Sequence, residues 1–206
     1  VELQAIYDSV ITGDRDQIVP AVQRAVNAGI KPDLIINDAL IKAMDEVGRR
    51  MKEGDMFVPE VLMAANTMKQ GLEVVKPLME GQEAKSLGKI AIGTVAGDLH
   101  DIGKNLVVMM LEGAGFKVID LGIDVSKEKF LQVIEQEKPD IVGLSALLTT
   151  TMKTMKEIVQ AIDGRVKTMV GGAPVTEEFA EEIGASGYAP DAVTAVDLAK
   201  SLMSAN

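Results

Sequence analysis

Residues 89–105 read KIAIGTVAGDLHDIGKN: an apolar run, Lys89–Val95, leads into the glycine-flanked polar loop Gly97-Asp98-Leu99-His100-Asp101-Ile102-Gly103. A short apolar run closed by a turn signal reads as a buried strand. Similar runs follow at Lys117–Leu121, Asp140–Ser145, Val166–Val170 and Ala185–Ala189, each succeeded by a helical stretch. This alternation is the signature of repeated βαβ units. It fits a flavodoxin-like (Rossmann-like) five-stranded parallel sheet, ordered 2-1-3-4-5, with helices on both faces. The order places a binding crevice at the carboxyl ends of strands 1 and 3, where the connections depart toward opposite faces.

Upstream the periodicity is helical. A short helix is expected near Glu2 to Thr12. Ile18, Ala21, Val22, Ala25 and Val26 then form a stripe between the Gly13-Asp14 start signal and Gly29. Ile36, Ala39, Leu40, Ala43, Met44, Val47 and Met51 extend a third helix to Gly54, and Pro59 lies in the first turn of a fourth, with Val58, Val61, Leu62, Ala65, Met68, Leu72 and Val75 on its apolar side. The fold class is therefore α + α/β. A four-helix bundle (1–84) precedes the α/β domain (89–206), with 85–88 as the linker region at the end of the polar, glycine-containing stretch Gly81–Gly88, which suits a hinge.

Composition narrows the chemistry. The 206 residues include no Cys, which excludes disulfides, thiolate metal sites, iron–sulfur clusters and cysteine nucleophiles together. Lys plus Arg total 21 against 31 for Asp plus Glu, and a charge of −10 repels a phosphate backbone or an anionic membrane. No apolar run approaches the roughly 18 residues of a membrane span, and Val1 to Asp8 carry no signal-peptide pattern, so a cytoplasmic location is expected.

His100 is the chain's single histidine and falls on the crevice loop. Its ordinary reading is a solvated loop residue. Asp98, two positions earlier, could instead accept the second imidazole N–H, fixing the tautomer and raising the ring's basicity as a metal ligand. After strand 3 comes Ser145-Ala146-Leu147-Leu148-Thr149-Thr150-Thr151. One hydroxyl is expected to cap the helix beginning at Met152, and the remainder, with the leucines, suggest an apolar pocket with a few placed polar groups. After strand 4, Gly171-Gly172-Ala173-Pro174 is either a tight turn or a place for close ligand approach.

The order Asp-x-His-x-x-Gly (Asp98, His100, Gly103), Ser-x-Leu (Ser145, Leu147) and Gly-Gly (Gly171, Gly172), preceded by a helical bundle, resembles the cobalamin-binding domain of the base-off, His-on type. The pairing is similar to the two-module corrinoid proteins of methanogen and acetogen methyltransferase systems and to the matching module of methionine synthase. The resemblance implies a corrinoid cofactor, methylcobalamin in its loaded form, whose cobalt takes His100 as lower axial ligand, with Asp98 and Thr151 as the relay behind it. Thr151 stands where methionine synthase has serine. Gly97, Asp101, Ile102, Gly103, Ser145, Leu147, Thr149, Gly171, Gly172 and Ala173 would line the cofactor site, with Tyr188 to Asp191 near its rim. Met51, Val58, Val61 and Leu62 match the cap over the upper face, and their alternative reading is bundle core.

The implied function is that of a methyl carrier rather than an enzyme. Cobalt(I) would accept a methyl group from a substrate-specific methyltransferase, and methyl-cobalt(III) would deliver it to a second methyltransferase holding a thiol or tetrahydrofolate. A reductive activation protein is a third expected partner. The alternative is the cobalamin-binding subunit of an adenosylcobalamin mutase, against which the helical cap argues because the adenosyl group is bulky. A cobalamin light sensor lacks an output module here, and a receiver domain would carry Asp where this chain has Ser145.

Overall fold

A computed structural model describes residues 1–79 and 86–205. The chain divides into two compact units, residues 1–86 and residues 87–206, with Gly113–Gly115 grouped with the first. Residues 81–85 of the expected linker, and the boundary at 84, lie outside the described residues.

The first unit consists of α1 (Glu2–Thr12), α2 (Arg15–Asn27), α3 (32–53) and α4 (Val58–Val75), which ends in a 3-10 turn, Lys76–Met79. Gly13 closes α1 in the left-handed region, and Asp14 opens α2 by accepting from the Asp16 and Gln17 N–H groups, both at 3.1 Å. Glu60 reaches back to accept from the Phe57 N–H at 2.8 Å at the start of α4. The expected third helix runs continuously to Gly54 but is not uniformly α. Between Pro32–Ile35 and Lys42–Glu53, residues Ile36–Ile41 form a π-helical segment. Asn37 Nδ2 donates to the Asp33 carbonyl at 2.8 Å where the helix widens. Ile6, Val10, Ile18, Val22, Leu40, Val47, Val61 and Val75 are fully buried and form the unit's core. Gly71 allows close helix packing there, because a Cβ would stand 3.0 Å from Ile18 and 3.1 Å from Leu40.

The second unit is the expected five-stranded sheet: β1 (Lys89–Thr94), β2 (Lys117–Asp120), β3 (Ile141–Ser145), β4 (Lys167–Gly171) and β5 (Gly187–Tyr188). All neighbours are parallel and the order is β2-β1-β3-β4-β5. The helices are α5 (Ile102–Gly113), α6 (Lys127–Glu137), α7 (Met152–Ile162), α8 (Glu177–Ile183) and α9 (Ala192–Ser204). The step from β1 to β2 moves one way along the sheet and the later steps move the other way. Right-handed crossovers therefore put α5 on one face and α6, α7 and α8 on the other. β5 keeps only two residues of the expected Ala185–Ala189 run.

Register positions the site. Thr94 lies opposite Ser145, and Ser145 opposite Gly171, so the three loops following β1, β3 and β4 leave the sheet from one row. Behind that row, Val95, Phe130, Val142, Leu144, Met155, Ile158, Ile162 and Val170 belong to one buried cluster. Among the described residues no helix is long and apolar enough to cross a membrane.

Phe130 is 1% exposed, and its ring occupies the space above Gly93 of β1, where a Cβ would meet Phe130 Cζ at 3.1 Å. Phe130→Ala leaves a cavity over the central strand and is expected to cost about 3–5 kcal/mol. Urea unfolding monitored by circular dichroism measures that loss.

Candidate functional site

The loop after β1 is organised around Asp98, whose side chain is 0% exposed. Oδ1 accepts from His100 Nδ1 at 2.7 Å and from the His100 backbone N–H at 3.1 Å. Oδ2 accepts from the Leu147 N–H at 2.7 Å, the Leu148 N–H at 3.2 Å and the Thr151 hydroxyl at 2.9 Å. Burial alone would raise this carboxyl. The bonds from Leu147, His100 and Thr151 outweigh it and hold the group well below the usual carboxylate range. The site thus contains a buried, fully bonded anion.

An ionised carboxylate can only accept, so Nδ1 carries a proton, and in the neutral ring the lone pair sits on Nε2. The His100 side chain is 51% exposed, and Nε2 is the nitrogen not engaged by Asp98. Thr94, buried at the end of β1, donates its hydroxyl to the His100 carbonyl at 2.9 Å, which fixes the backbone beneath the ring. The result is an anchored imidazole whose Nε2 lies outside these hydrogen bonds. Among the described residues no group of three or more His, Cys, Asp or Glu side chains could hold a metal ion.

The expected helix cap is absent. Thr151 is the N-cap residue of α7 but makes no side-chain capping bond. Its hydroxyl lies 2.9 Å from Asp98 Oδ2 and 2.8 Å from the Leu148 carbonyl, so it donates to these acceptors, and its oxygen accepts from none of the first helical N–H groups. The anionic oxygen is the stronger acceptor. The Thr151 side chain thus reaches the carboxylate despite replacing serine.

Large apolar side chains are exposed on these loops: Leu99, Ile102 at 83%, Ile123, Leu147 and Leu148. Such a concentration beside one imidazole marks a binding surface for something broad and apolar. Gly103, in the first turn of α5, would have nothing within 4 Å of an added Cβ, and its φ is not positive. Neither backbone conformation nor internal packing requires glycine there, so the position leaves room for a ligand. These features fit a corrinoid.

The glycine turn after β4 has an internal cause. A Cβ on Gly171 would lie 2.8 Å from the Ala189 carbonyl oxygen, and one on Gly172 only 1.8 Å from that of Ala146. Both glycines admit the chain's own backbone, with Gly172 at φ 126°. Ala173 and Thr149 are exposed at the same edge, and Ser145 is half-buried. Gly97 is exposed at φ 85°. Asp101 starts α5, where its carboxylate accepts from Asn105 Nδ2 at 3.1 Å. Asp191 caps α9 by accepting from the Thr194 N–H at 2.7 Å, and Tyr188 packs partly buried against the sheet core. In the helical unit, Val61 is core, Met51 and Leu62 are half-buried, and Val58 is exposed. Sequence reasoning missed Thr94, Leu148 and Asp124. Thr94 alone left a signal, as a hydroxyl inside an apolar strand.

Asp98 titrates in the folded state below its unfolded value of about 3.9, so its stabilisation is complete above roughly pH 5 and is lost as pH falls through the acid range. Wild type is expected to exceed Asp98→Asn by about 2 kcal/mol at pH 7, because an amide cannot accept from every donor around it. The gap should narrow below about pH 4, as urea unfolding across pH would show. The two glycines should behave oppositely. Gly172→Ala overpacks against Ala146 and should cost about 3 kcal/mol, whereas Gly103→Ala should gain about 0.5–1 kcal/mol in the apo-protein. Thermal melts separate these outcomes.

Comparison with known proteins gives this arrangement a family. Residues 88–197 match the B12 binding domain, and residues 2–76 match a second B12 binding domain family. The chain is 40% identical to a corrinoid protein of Desulfitobacterium hafniense, over 98% of this chain and 97% of that one. It is 42% identical to trimethylamine corrinoid protein 1 of Methanosarcina acetivorans, over 95% and 94% respectively. Among solved structures it resembles the methanol:cobalamin methyltransferase complex MtaBC of Methanosarcina barkeri, with a TM-score of 0.91 and 33% identity, covering 100% of this chain and 80% of that one. With both its helical and its sheet unit matched, and its one histidine held on a buried carboxylate at the crevice, the chain belongs to the cobalamin-binding corrinoid proteins.

Proposed function

We propose that this protein is a methyl carrier that holds its corrinoid base-off with His100 Nε2 as lower axial ligand. The observation that carries the reading is the Asp98 carboxylate, which grips Nδ1 at 2.7 Å and leaves Nε2 free. When bound, the corrinoid supplies a cobalt nucleophile that accepts and releases a methyl group. The chain supplies ligation, orientation and shelter. Asp98 sets the imidazole tautomer and strengthens Nε2 as a donor, Thr151 shares the carboxylate, and Leu99, Ile102 and Leu147 offer apolar surface to the ring. The edge formed by Ser145, Leu147, Thr149 and the Gly171–Ala173 turn receives the nucleotide arm, with Tyr188 and Asp191 beside it. Of the four cap candidates on the helical unit, Met51, Val58 and Leu62 keep side chain exposed that could shelter a methyl group, whereas Val61 is fully buried in that unit's own core.

Methyl donors reach such a carrier through a separate methyltransferase, and a second methyltransferase removes the group to a thiol or tetrahydrofolate. Trimethylamine and dimethylamine corrinoid proteins stand among the relatives at 41–42% identity, so a methylated amine is taken as the donor class, with methanol as its rival. The test begins with apo-protein loaded with hydroxocobalamin and reduced to cobalt(II). Wild type should show axial nitrogen superhyperfine splitting in its paramagnetic resonance spectrum, and His100→Ala should retain the corrinoid without that splitting. Transfer is then assayed anaerobically with donor-specific methyltransferases for tri-, di- and monomethylamine and for methanol. Splitting that survives His100→Ala would overturn the ligand assignment, and transfer confined to methanol would overturn the donor class.

A further inference from the structure

Among the described residues, three that are not glycine adopt left-handed backbone conformations: Asp124, Lys138 and Asp163. Lys138 and Asp163 are the C-cap residues of α6 and α7, where such a conformation commonly ends a helix. Asp124, at φ 51°, follows β2 and ends no helix. Its conformation needs another cause, and the loop after β1 provides one. Asp124 Oδ1 accepts from the Gly97 N–H at 2.7 Å, while the Asp124 N–H donates to the Asp98 carbonyl at 3.1 Å. The left-handed turn lets one residue present its side-chain acceptor and its backbone donor to the same two-residue segment.

That segment leads directly into His100. Gly97 is itself at φ 85°, so without Asp124 its neighbouring peptide units would have wide conformational freedom. The clasp is held at its root. The buried Lys104 ammonium lies 2.5 Å from Asp120 Oδ1, which also accepts from the Gly122 N–H at 2.9 Å. The Gly122 carbonyl in turn accepts from the Thr94 N–H at 3.0 Å, and the Val125 N–H bonds the Thr94 carbonyl at 2.9 Å. The loop after β2 is thus fixed to β1 on either side of Asp124.

We infer that Asp124 is a positioning residue for the axial histidine: by fixing the Gly97 and Asp98 peptide units it sets the height and direction of the His100 ring, and so the strength of its bond to cobalt. This rests on the proposed ligation by His100. Losing one such charge-assisted bond should lower the ratio of ligated to unligated cobalt(II) about tenfold. Cobalt(I) does not retain the histidine, so weaker ligation of cobalt(II) raises the cobalt(II)/cobalt(I) midpoint potential, by about 59 mV for a tenfold change.

Two variants separate bonding from backbone strain. Asp124→Asn keeps an acceptor oxygen and tolerates the left-handed region, whereas Asp124→Gly tolerates that region and has no acceptor. Both are loaded with hydroxocobalamin and compared with wild type and His100→Ala by paramagnetic resonance and by spectroelectrochemical titration. Asp124→Asn is expected to match wild type within twofold in ligated fraction. Asp124→Gly is expected to bind the corrinoid, show a larger fraction without axial nitrogen coupling, and titrate at the higher potential. An Asp124→Gly protein with unchanged coupling and potential, one shifted no more than Asp124→Asn, or one that loses corrinoid uptake altogether would overturn the positioning role. A wild-type spectrum identical to that of His100→Ala would instead overturn the ligation on which it rests.

Discussion

A buried carboxylate without compensation is among the most costly groups a protein can contain, and Asp98 is fully buried. Its cost is offset only because donors from two loops converge on it: His100 from the loop after β1, and Leu147, Leu148 and Thr151 from the loop after β3. Neither loop can move away without stripping hydrogen bonds from a charge already removed from water. The same requirement that keeps Asp98 ionised therefore fixes the two walls of the crevice against each other. Orientation of the imidazole is a consequence of satisfying the carboxylate, so the ring needs no packing of its own.

Topology makes this convergence possible. In the 2-1-3-4-5 order β1 and β3 are neighbours although about fifty residues separate them in sequence, and their connections leave toward opposite faces. The Thr94–Ser145–Gly171 row then brings three loops level at one edge. Glycine at 171 and 172 belongs to that construction, because the backbone at Ala189 after β5 and at Ala146 after β3, respectively, occupies the volume a side chain would need. The row is a product of register, and a slip of one residue between β1 and β3 would separate the β3-loop donors from Asp98.

The sheet was legible because its strands are short apolar runs punctuated by turn signals, and the site loop because Asp98 and His100 are close enough in sequence to interact locally. What escaped reading depended on geometry that spacing does not encode. Buried positions 35, 36, 39, 40, 43, 44 and 47 have a helical rhythm whether the turn is α or π, so Ile36–Ile41 gave no sign of widening. The resemblance put the Thr151 hydroxyl beside Asp98, but spacing alone offered that run only a helix cap, since local capping is visible in sequence and an acceptor 53 residues away is not. Asp124 sits in Leu121-Gly122-Ile123-Asp124, which reads as an ordinary turn. Its contribution is a backbone conformation and two bonds to a distant segment.

Taken together, the loop is stiff at its base and open at its tip. Peptide units around Asp98 are held by Asp124, Thr94 and the β3 loop, while the His100 ring extends half-exposed from this base. A residue that only had to stay bound to a metal could be buried with it. A ligand that must both bind and release as the metal changes its coordination number has different needs. It requires a fixed donor direction, so that rebinding carries little entropic cost, and enough freedom at the ring for the metal to withdraw. Under the ligation proposed for His100, anchoring Nδ1 through a charged acceptor and leaving Nε2 outside the hydrogen-bond network meets both needs with one side chain. The chain's single histidine is thereby committed through one nitrogen and available through the other.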